Sequence, residues 1–311
     1  MNVGTTNGTD AVWPSIGVVI PTHHRPEMLR RAIDAVLEQD YPGPLEVIVV
    51  HDGTEPDQGN ARGGDRPVRV TGNSRAPGLS GTRNTGILAL EDDLIAFCDD
   101  DDYWRPHKLT EQVSAMSADT VMSTTSIEVH FADRRTVRLA GTDAVDRAQL
   151  LRSRMSMLHS SSFLFRRSAL LGDLGLIAED APGSQNEDWD ILLRASALAV
   201  IAHVDEPLVD VIWGPSSFFS RRWESRNASL EWMVSRNPDL LDEPVGYSRV
   251  LGQLAYGSAC LGRRREAWRY AGRALAAHPL QWRAPVAAAV AVAPALGEPV
   301  LRALNRFGRG V

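Results

Sequence analysis

The chain has 311 residues, of which 43% are hydrophobic and 23% charged, and its formal net charge at pH 7 is −6. This composition is ordinary for a soluble globular protein with one large domain and an appendage, or with two domains. The negative charge argues against general nucleic-acid binding. The two cysteines, Cys98 and Cys260, exclude a disulfide framework and a zinc cluster, and favour a reducing, cytoplasmic setting.

Membrane insertion is not predicted. The N-terminus lacks the basic segment and apolar core of a signal peptide. The most apolar segment, residues 284–296, is interrupted by Pro285 and Pro294 and is shorter than the ~20 residues that span a bilayer. We therefore expect no transmembrane segment.

In the first part of the chain, after a flexible tail over residues 1–14, apolar runs of strand length alternate with helical patterns. A helix begins near Pro26, which suits a first helical turn, and has Leu29, Ile33 and Val36 on one face. The predicted strands cover residues 16–20, 45–50, 68–70 and 94–98, and a second helix covers residues 78–90. This alternation predicts a largely parallel α/β sheet.

The second part of the chain changes from mixed to helical character. We predict helices at residues 109–116, 147–154 and 187–198, a β-rich stretch at 120–131, and strands at 161–165, 200–204 and 208–212. From Trp213 the chain is helical and rich in alanine and arginine, and residues 247–279 resemble one helical hairpin of the tetratricopeptide type. The predicted organisation is therefore an α/β domain over residues 15–215 and a helical region over residues 216–311.

Four consecutive carboxylates, Asp99 to Asp102, directly follow the strand predicted at residues 94–98. Adjacent anions repel each other, more strongly as water is excluded. In open α/β sheets, ligands bind at the carboxyl ends of strands. The run therefore indicates a bound cation, although a solvated acidic turn is the simpler alternative.

Other polar residues occupy comparable positions. Pro21, Thr22 and Arg25 follow the first strand and Asp52 follows the second, so both loops open on one crevice of a doubly wound sheet. Each candidate also has an ordinary explanation: a turn residue for Asp52, a surface arginine for Arg83, and carboxylates that complement a helix dipole for Glu187, Asp188 and Asp190.

Five segments, taken together and in order, resemble the signatures of a family 2 glycosyltransferase with the GT-A fold. They read V-V-I-P-T-H-H-R-P, V-I-V-V-H-D-G-T, G-L-S-G-T-R-N-T-G-I, A-F-C-D-D-D-D-Y-W and N-E-D-W-D-I-L-L-R. The resemblance covers roughly residues 15–213. It implies a Rossmann-like, mostly parallel central sheet flanked by helices, here with a C-terminal helical appendage.

For the donor site, the resemblance implies that Asp52 accepts a hydrogen bond from a nucleotide base, while Pro21 and Thr22 line the base and ribose pocket. Arg25 and Arg83 would help to hold the nucleotide-sugar donor, since a guanidinium fork suits phosphate oxygens. The chain departs from its relatives in having His23 and His24 where an aromatic residue and an asparagine are usual, and His51 where an aspartate is common. These departures leave the base open, with a UDP-sugar favoured.

For the metal, relatives read D-x-D-D, so the resemblance makes Asp99 and Asp101 the DXD pair, with Asp100 at the variable position. We expect Asp101 to bind Mn²⁺ or Mg²⁺ directly, because hard cations prefer oxygen ligands. Asp99 is the second metal residue, and Asp99 or Asp100 would contact ribose or a metal-bound water. Asp102 is predicted to cap the next turn, and Cys98 to be a core residue of the strand.

For catalysis, the resemblance implies that Asp188 is the general base of an inverting transfer, with Glu187 as the fallback base. Trp189 would stack on a sugar or belong to the core. Arg222, in a segment that resembles the R-W end of a signature of processive synthases, would contact the diphosphate. The glutamine expected before that R-W is missing, since Phe219 stands there, so we predict transfer of a single sugar. His159 would face the acceptor cleft or simply be packed.

The predicted function is therefore a metal-dependent, inverting transfer of one sugar from a nucleotide-diphosphate sugar to a hydroxyl of a glycan, glycolipid or secondary metabolite. One alternative is a nucleotidyltransferase of related fold, although residues 21–26 lack the glycine-rich loop that this chemistry needs. Another is a non-catalytic α/β scaffold whose helical tail binds a partner. Arginines of the tail would touch the inner face of an anionic membrane or a partner enzyme, or would simply be solvated, namely Arg263, Arg264, Arg265, Arg302, Arg306 and Arg309.

Overall fold

The computed structural model describes residues 12–131, 133–213 and 223–306, with only the backbone described at 305 and 306. The strands in these ranges are β1 (Ile16–Thr22), β2 (Leu45–His51), β3 (Val68–Gly72), β4 (Leu94–Phe97), β5 (Tyr103–Trp104), β6 (Met122–Phe131), β7 (Arg134–Arg138), β8 (Ala144–Val145), β9 (Leu164–Arg166) and β10 (Ile201–Trp213). The α-helices are α1 (Pro26–Leu37), α2 (Leu79–Ala89), α3 (Lys108–Ala115), α4 (Arg147–Arg152), α5 (Arg167–Leu171), α6 (Glu187–Leu198), α7 (Trp223–Arg236), α8 (Pro244–Cys260), α9 (Arg264–Ala277), α10 (Arg283–Val292) and α11 (Gly297–Arg306).

A single sheet runs through the molecule in the order β3-β2-β1-β4-β9-β6-β10-β5, with β7 paired to β6 and β8 to β10. The first four strands in that order are parallel, and β6 is also parallel to β10. Strand β9 is antiparallel to both neighbours, so the second half of the sheet is mixed. The α/β class, the flanking helices and the C-terminal helical region are confirmed.

Strand β1 shows why the sheet has a layer of helices on each face. All seven of its residues are buried, as expected for a parallel strand covered on both sides. Val18 and Ile20 pack in the hydrophobic core that includes α1 and α3, whereas Val19 packs in the core that includes α2 and α6. The period of two along a strand thus divides one apolar run between two cores.

Three details differ from the sequence-based expectation. The two late strands form one strand, β10, with register irregularities around Pro207. Residues 160–162 form a short 3₁₀ turn, because a hydrogen bond runs from Phe163 N to Ser160 O, and β9 begins only at Leu164. The predicted tail includes Trp13, which instead packs edge-on against Tyr41 with ring centroids 5.4 Å apart.

The C-terminal helices extend one of the two cores. Leu254 of α8 and Ala287 of α10 belong to the same hydrophobic cluster as Leu192 of α6. Helices α8 and α9 form the predicted hairpin, and α7, α10 and α4 pack against α8, which supplies the neighbours that a single hairpin needs to bury its faces. The predicted boundary at residues 215 and 216 lies outside the described residues. Among the helices that are described, none is both long and apolar enough to cross a membrane.

Candidate active site

A cleft of about 930 Å³ opens at the carboxyl ends of β1, β2 and β4 and continues to helices α6, α7, α8 and α10. The register explains its position: Thr22 at the end of β1 lies opposite His51 of β2, and Val19 lies opposite Phe97 of β4, so the loops after these strands share one edge. Most of the predicted site residues line the cleft, namely Pro21, Thr22, Arg25, Asp52, Asp99, Asp100, Asp101, Glu187 and Asp188. Arg222 lies outside the described residues.

Two of the four consecutive carboxylates face the loop after β1. Thr22 Oγ1 donates to Asp100 Oδ2 at 2.7 Å, and Arg25 Nη1 donates to Asp100 Oδ1 at 3.1 Å. The same guanidinium pairs with Asp101. Burial, followed by the charge of Asp99, raises the pKa of Asp101 to about 6. Arg25 is partly exposed and therefore does not balance the negative charge of the carboxylates around Asp101.

The other two carboxylates face the short turn at residues 160–162. Asp99 accepts hydrogen bonds from Arg83 at 2.7 Å and from Ser160 Oγ at 3.1 Å. Asp102 accepts from Ser161 Oγ at 2.6 Å and from the backbone N–H of Ile212 at 3.3 Å. The prediction that Asp102 caps the next turn is therefore wrong, because both hydrogen bonds described for its carboxylate come from distant segments. Its burial, together with Asp99 and Asp101, raises its pKa well above the ordinary value.

The acidic run has the donor set of a divalent-cation site. Ligand atoms of Asp99, Asp102 and His159 lie within 4.8 Å of one another, and His159 Nδ1 is 3.3 Å from Asp102 Oδ2. Asp101 lines the same cleft. Carboxylate oxygens are the ligands that Mg²⁺ and Mn²⁺ prefer. The residues present therefore fit a hard divalent cation, and the choice of Asp101 and Asp99 as its ligands stays a prediction.

Arg83 joins the acidic run to the start of α6. Its guanidinium is buried, with a residue exposure of 1%, and donates to Glu187 Oε1 at 3.1 Å and to Asp99 Oδ1 at 2.7 Å. It also donates to Ser160 Oγ at 2.9 Å. Its described partners are thus protein groups that line the cleft, whereas Arg83 itself lies behind them, and a direct contact with the donor stays a prediction.

The three carboxylates at the start of α6 point in two different directions. Glu187 and Asp188 line the cleft, and Asp188 pairs with Arg154 while accepting from the N–H of Trp189 at 2.8 Å. Burial, followed by the charge of Asp188, raises the pKa of Glu187 to about 7. Asp190 points away, is fully buried and pairs with two other arginines, Arg194 and Arg236, each at 2.8 Å.

Asp52 is fixed at the other end of the cleft. Its two carboxylate oxygens accept from Asn73 Nδ2 and from the N–H of Gly78, each at 2.9 Å. Gly78 has φ of 110°, a backbone conformation that favours glycine, and it directly precedes α2. A carboxylate with these two partners retains lone pairs on the cleft side. Hydrogen bonding of Asp52 to a base stays a prediction.

Trp189 and Cys98 both belong to the hydrophobic core, which was one of two expectations for Trp189 and the expectation for Cys98. Trp189 is 4% exposed and donates its indole N–H to Leu150 O at 3.1 Å, so it packs in the core with only an edge at the cleft. Cys98 is fully buried in the other core, as expected for a strand residue. His159, by contrast, lines the cleft.

Sequence reasoning missed the basic part of the cleft lining. Arg154, Arg226, Arg249 and Arg283 all line it, although they come from four segments spread over 130 residues of the chain. Ser160 and Ser161, which hold Asp99 and Asp102, were also missed as site residues. No local pattern marks any of these residues, because each enters the site only through packing of distant helices and turns.

An α/β sheet whose strand ends present clustered carboxylates, with acidic residues of a helix start lining the same cleft, is the arrangement of the GT-A class of nucleotide-binding folds. Residues 17–172, half of the chain, match the family model described as Glycosyl transferase family 2. The protein therefore belongs to the family 2 glycosyltransferases.

Individual relatives are more distant. An uncharacterized glycosyltransferase of Nostoc sp. is 30% identical over 118 residues, which is 34% of this chain and 34% of that protein. The chain therefore spans only about a third of this curated relative.

Solved structures resemble the chain over most of its length. Residues 1–349 of S. aureus TarS in complex with UDP-GlcNAc align with a TM-score of 0.60 and 15% identity, covering 95% of this chain and 92% of that chain. The mannosyltransferase PcManGT from Pyrobaculum calidifontis, in complex with GDP-Man and Mn²⁺, aligns with a TM-score of 0.52 and 18% identity, covering 93% and 81%. At these identities the likeness establishes the fold.

Proposed function

We propose that this protein is a metal-dependent, inverting glycosyltransferase that moves one sugar from a nucleotide-diphosphate sugar to an acceptor hydroxyl. One observation carries the proposal: the buried Arg83 joins Asp99 of the acidic run to Glu187, and both carboxylates line one cleft together with Asp188. Such a cleft can hold a donor's leaving group on one side and a proton acceptor on the other.

The donor side is the part of the cleft lined by Pro21, Thr22, Arg25 and Asp52. A UDP-sugar is the favoured donor, and binding of UDP-GlcNAc by TarS, a protein of the same fold, supports it. Asp52 would accept a hydrogen bond from the base. Arg25, whose side chain is 43% exposed, can turn from Asp100 and Asp101 toward phosphate oxygens.

The metal would be held by Asp101 and Asp99, and the Mn²⁺ bound by PcManGT supports a divalent ion in this fold. When bound, such an ion neutralises the negative charge that develops on the leaving diphosphate. Arg83 would then position Asp99 from below, while Arg25 would release Asp101 as it turns toward the diphosphate.

Asp188 would act as general base. The acceptor oxygen attacks the anomeric carbon as the bond from that carbon to the diphosphate oxygen breaks, and the hydroxyl proton passes to the Asp188 carboxylate. A single displacement inverts the configuration. A positioned base typically contributes about 10²–10⁴-fold to the rate. Glu187 is the second candidate, since a carboxyl with a pKa of about 7 is suited to general-base catalysis at neutral pH.

The test is release of nucleoside diphosphate from UDP-sugars with Mn²⁺ or Mg²⁺, measured for the wild type and for Asp101→Asn and Asp188→Asn. Both variants are expected to lose at least about 10²-fold in rate. Asp34→Asn is the matched control, because Asp34 is an exposed residue of α1 that pairs with Arg62 outside the cleft. Undiminished rates in both variants, or release of pyrophosphate from a nucleoside triphosphate, would contradict the proposal.

A further inference from the structure

The cleft continues beyond Asp188 to a wall that is rich in arginine. We call it the arginine wall and define it as Arg154, Arg226, Arg249 and Arg283, which all line the cleft. From residue 223 onward, the described lining residues include no aspartate or glutamate, the others being Leu230, Gly246, Val250 and Gln253. This concentration of positive charge stands in a chain whose net charge is −6.

The four guanidinium groups lie close enough to influence one another. Burial, followed by the charge of Arg154, lowers the pKa of Arg226 to about 10. Burial, followed by the charges of Arg249 and then Arg226, lowers the pKa of Arg283 to about 10. The four arginines thus line one cleft and act electrostatically on one another, and like charges held together in a partly buried position are stabilised by a bound anion.

Packing holds these side chains in place. A Cβ on Gly252 would lie 2.9 Å from Arg283 Cβ, so α8 and α10 meet closely where Arg283 enters the cleft. The Arg283 guanidinium lies 4.4 Å from the ring centroid of Trp282. The Arg226 guanidinium lies 5.3 Å from that of Trp223, and Arg249 donates to Arg152 O at 3.3 Å. The wall is thus preorganised, which lowers the entropy cost of binding an anion.

Under the proposed function, the order of the groups along the cleft puts the wall on the acceptor side. Asp99, in the carboxylate cluster beside the leaving group, is joined by Arg83 to Glu187. The next residue, Asp188, pairs with Arg154. The charge of Arg154 acts on Arg226, and the charges of Arg249 and Arg226 act on Arg283. The proposed base therefore lies between the donor's diphosphate and the wall.

We propose that the arginine wall binds a phosphate or diphosphate group carried by the acceptor, and thereby brings the acceptor hydroxyl to Asp188. The inference rests on the proposed function. Several guanidinium groups match a multiply charged phosphate better than a single carboxylate, because each fork can donate two hydrogen bonds to phosphate oxygens. A lipid carrier and a phosphate-containing polymer would present the same group.

The experiment is a calorimetric titration of inorganic pyrophosphate into the full chain. EDTA is present, because a divalent ion at the acidic run would also bind pyrophosphate. The pair Arg249→Gln with Arg283→Gln is expected to weaken binding at least tenfold, since each lost charge-assisted hydrogen bond is worth about tenfold. The pair Arg269→Gln with Arg273→Gln removes the same charge from α9 outside the cleft lining and is expected to leave the affinity unchanged. Equal effects of the two pairs would overturn the inference.

Further measurements separate the alternatives. In the variant that carries Arg249→Gln and Arg283→Gln, the affinity for UDP in the presence of Mn²⁺ is expected to fall less than about threefold. A loss of UDP affinity as large as the loss of pyrophosphate affinity would assign the wall to the donor instead. Tighter binding of glucuronate than of pyrophosphate would show that the wall prefers a carboxylate to a phosphate group, and would overturn the inference. If the glutamine pair fails to fold, Arg249→Lys with Arg283→Lys keeps the charge, and unchanged pyrophosphate affinity in that pair, with the forks gone, would overturn the inference.

Failure of the proposed function gives a different result. In that case UDP does not bind to the wild-type protein in the presence of Mn²⁺, whether or not pyrophosphate binds to the arginine wall. Once pyrophosphate binding is established, two probes distinguish the sources of the group: vesicles that contain a phosphorylated lipid, and soluble inorganic polyphosphate as a phosphate-containing polymer. Binding of either one that depends on Arg249 and Arg283 supports the inference, and binding of neither overturns it.

Discussion

The Arg83 guanidinium donates to the Glu187 carboxylate across 3.1 Å, although the two residues are 104 positions apart in the chain. The opposite side of the same guanidinium holds Asp99. All three side chains are largely or fully buried. This ion-pair network fixes the distance between the carboxylates beside the strand ends and those at the start of α6.

Removal of Arg83 is expected to destabilise the protein strongly. Arg83→Met leaves Asp99 and Glu187 without their shared cation, and breaking a buried ion pair by removing one partner typically costs about 3–5 kcal/mol. Chemical denaturation measures the loss. Arg25→Met is the matched control, because Arg25 also contacts two carboxylates but is 43% exposed, and it should cost about 1 kcal/mol or less. Similar losses in the two variants would contradict the burial argument.

Lys108 is the only lysine of the chain and is fully buried beside the ring of Trp104. Burial lowers its pKa to about 7, whereas in the unfolded chain it is near 10.4. Between these values the unfolded chain binds more protons, so this residue makes stability rise with pH. Lys108→Met removes the effect. The stability of the wild type relative to Lys108→Met should therefore increase by about 2 kcal/mol from pH 7 to pH 9.

Denaturant unfolding of both proteins at the two pH values measures this difference, and groups common to both cancel. Lys108 Nζ donates to Gln112 Oε1 at 2.6 Å, and loss of that hydrogen bond lowers stability at both pH values. A stability difference that does not change with pH would show that Lys108 keeps an ordinary pKa.

Two glycines of the C-terminal helices should respond in opposite ways to alanine. A Cβ on Gly246 would lie 1.8 Å from the backbone oxygen of Leu151, where α8 crosses the end of α4. Gly246→Ala should therefore cost at least about 1–3 kcal/mol. Gly272 is exposed in α9 with nothing near its Cβ position, so Gly272→Ala should stabilise by about 0.4–1 kcal/mol. Thermal unfolding compares them, and a stable Gly246→Ala would mean that α8 does not pack closely on α4.

Both thiols should react slowly in the native protein. Burial, followed by the nearby Asp102, raises the pKa of Cys98 well above its ordinary value, and burial raises the pKa of Cys260 to about 11. Because the thiolate is the reactive form, native labelling at pH 8 by a disulfide reagent should be at least about 10²-fold slower than in the denatured chain. Cys260→Ser isolates Cys98. Rapid labelling of that variant would contradict the assignment of Cys98 to the core.

The sequence predicted the local elements well where a pattern of short period decided them. Helix α6 begins at Glu187 and ends at Leu198, as its apolar spacing indicated, and β1, β2 and β4 lie within two residues of their predicted bounds. The same patterns did not indicate that β10 continues through Pro207. A proline in the sequence predicts the end of a strand, whereas this strand continues because it pairs with β6, which is distant in the chain.

Within the site, the ordered motifs identified the acidic run and the pair Glu187 and Asp188, but they could not assign directions to the side chains. Asp102 and Asp190 have the same sequence signature as their neighbours, yet one binds Ser161 and the other binds Arg194 and Arg236. A run of carboxylates does not indicate which of its members turns toward the interior.

By itself, then, the sequence determined the family, the strand ends that carry the carboxylates and the periodic faces of the helices, since these depend on neighbours along the chain. Only the tertiary structure decided that Arg83 is buried between two acidic groups and that four arginines from separate segments meet beyond Asp188. The physical reason is that charge pairing depends on distance in space, which is set by the register of the sheet and the packing of the helices on it.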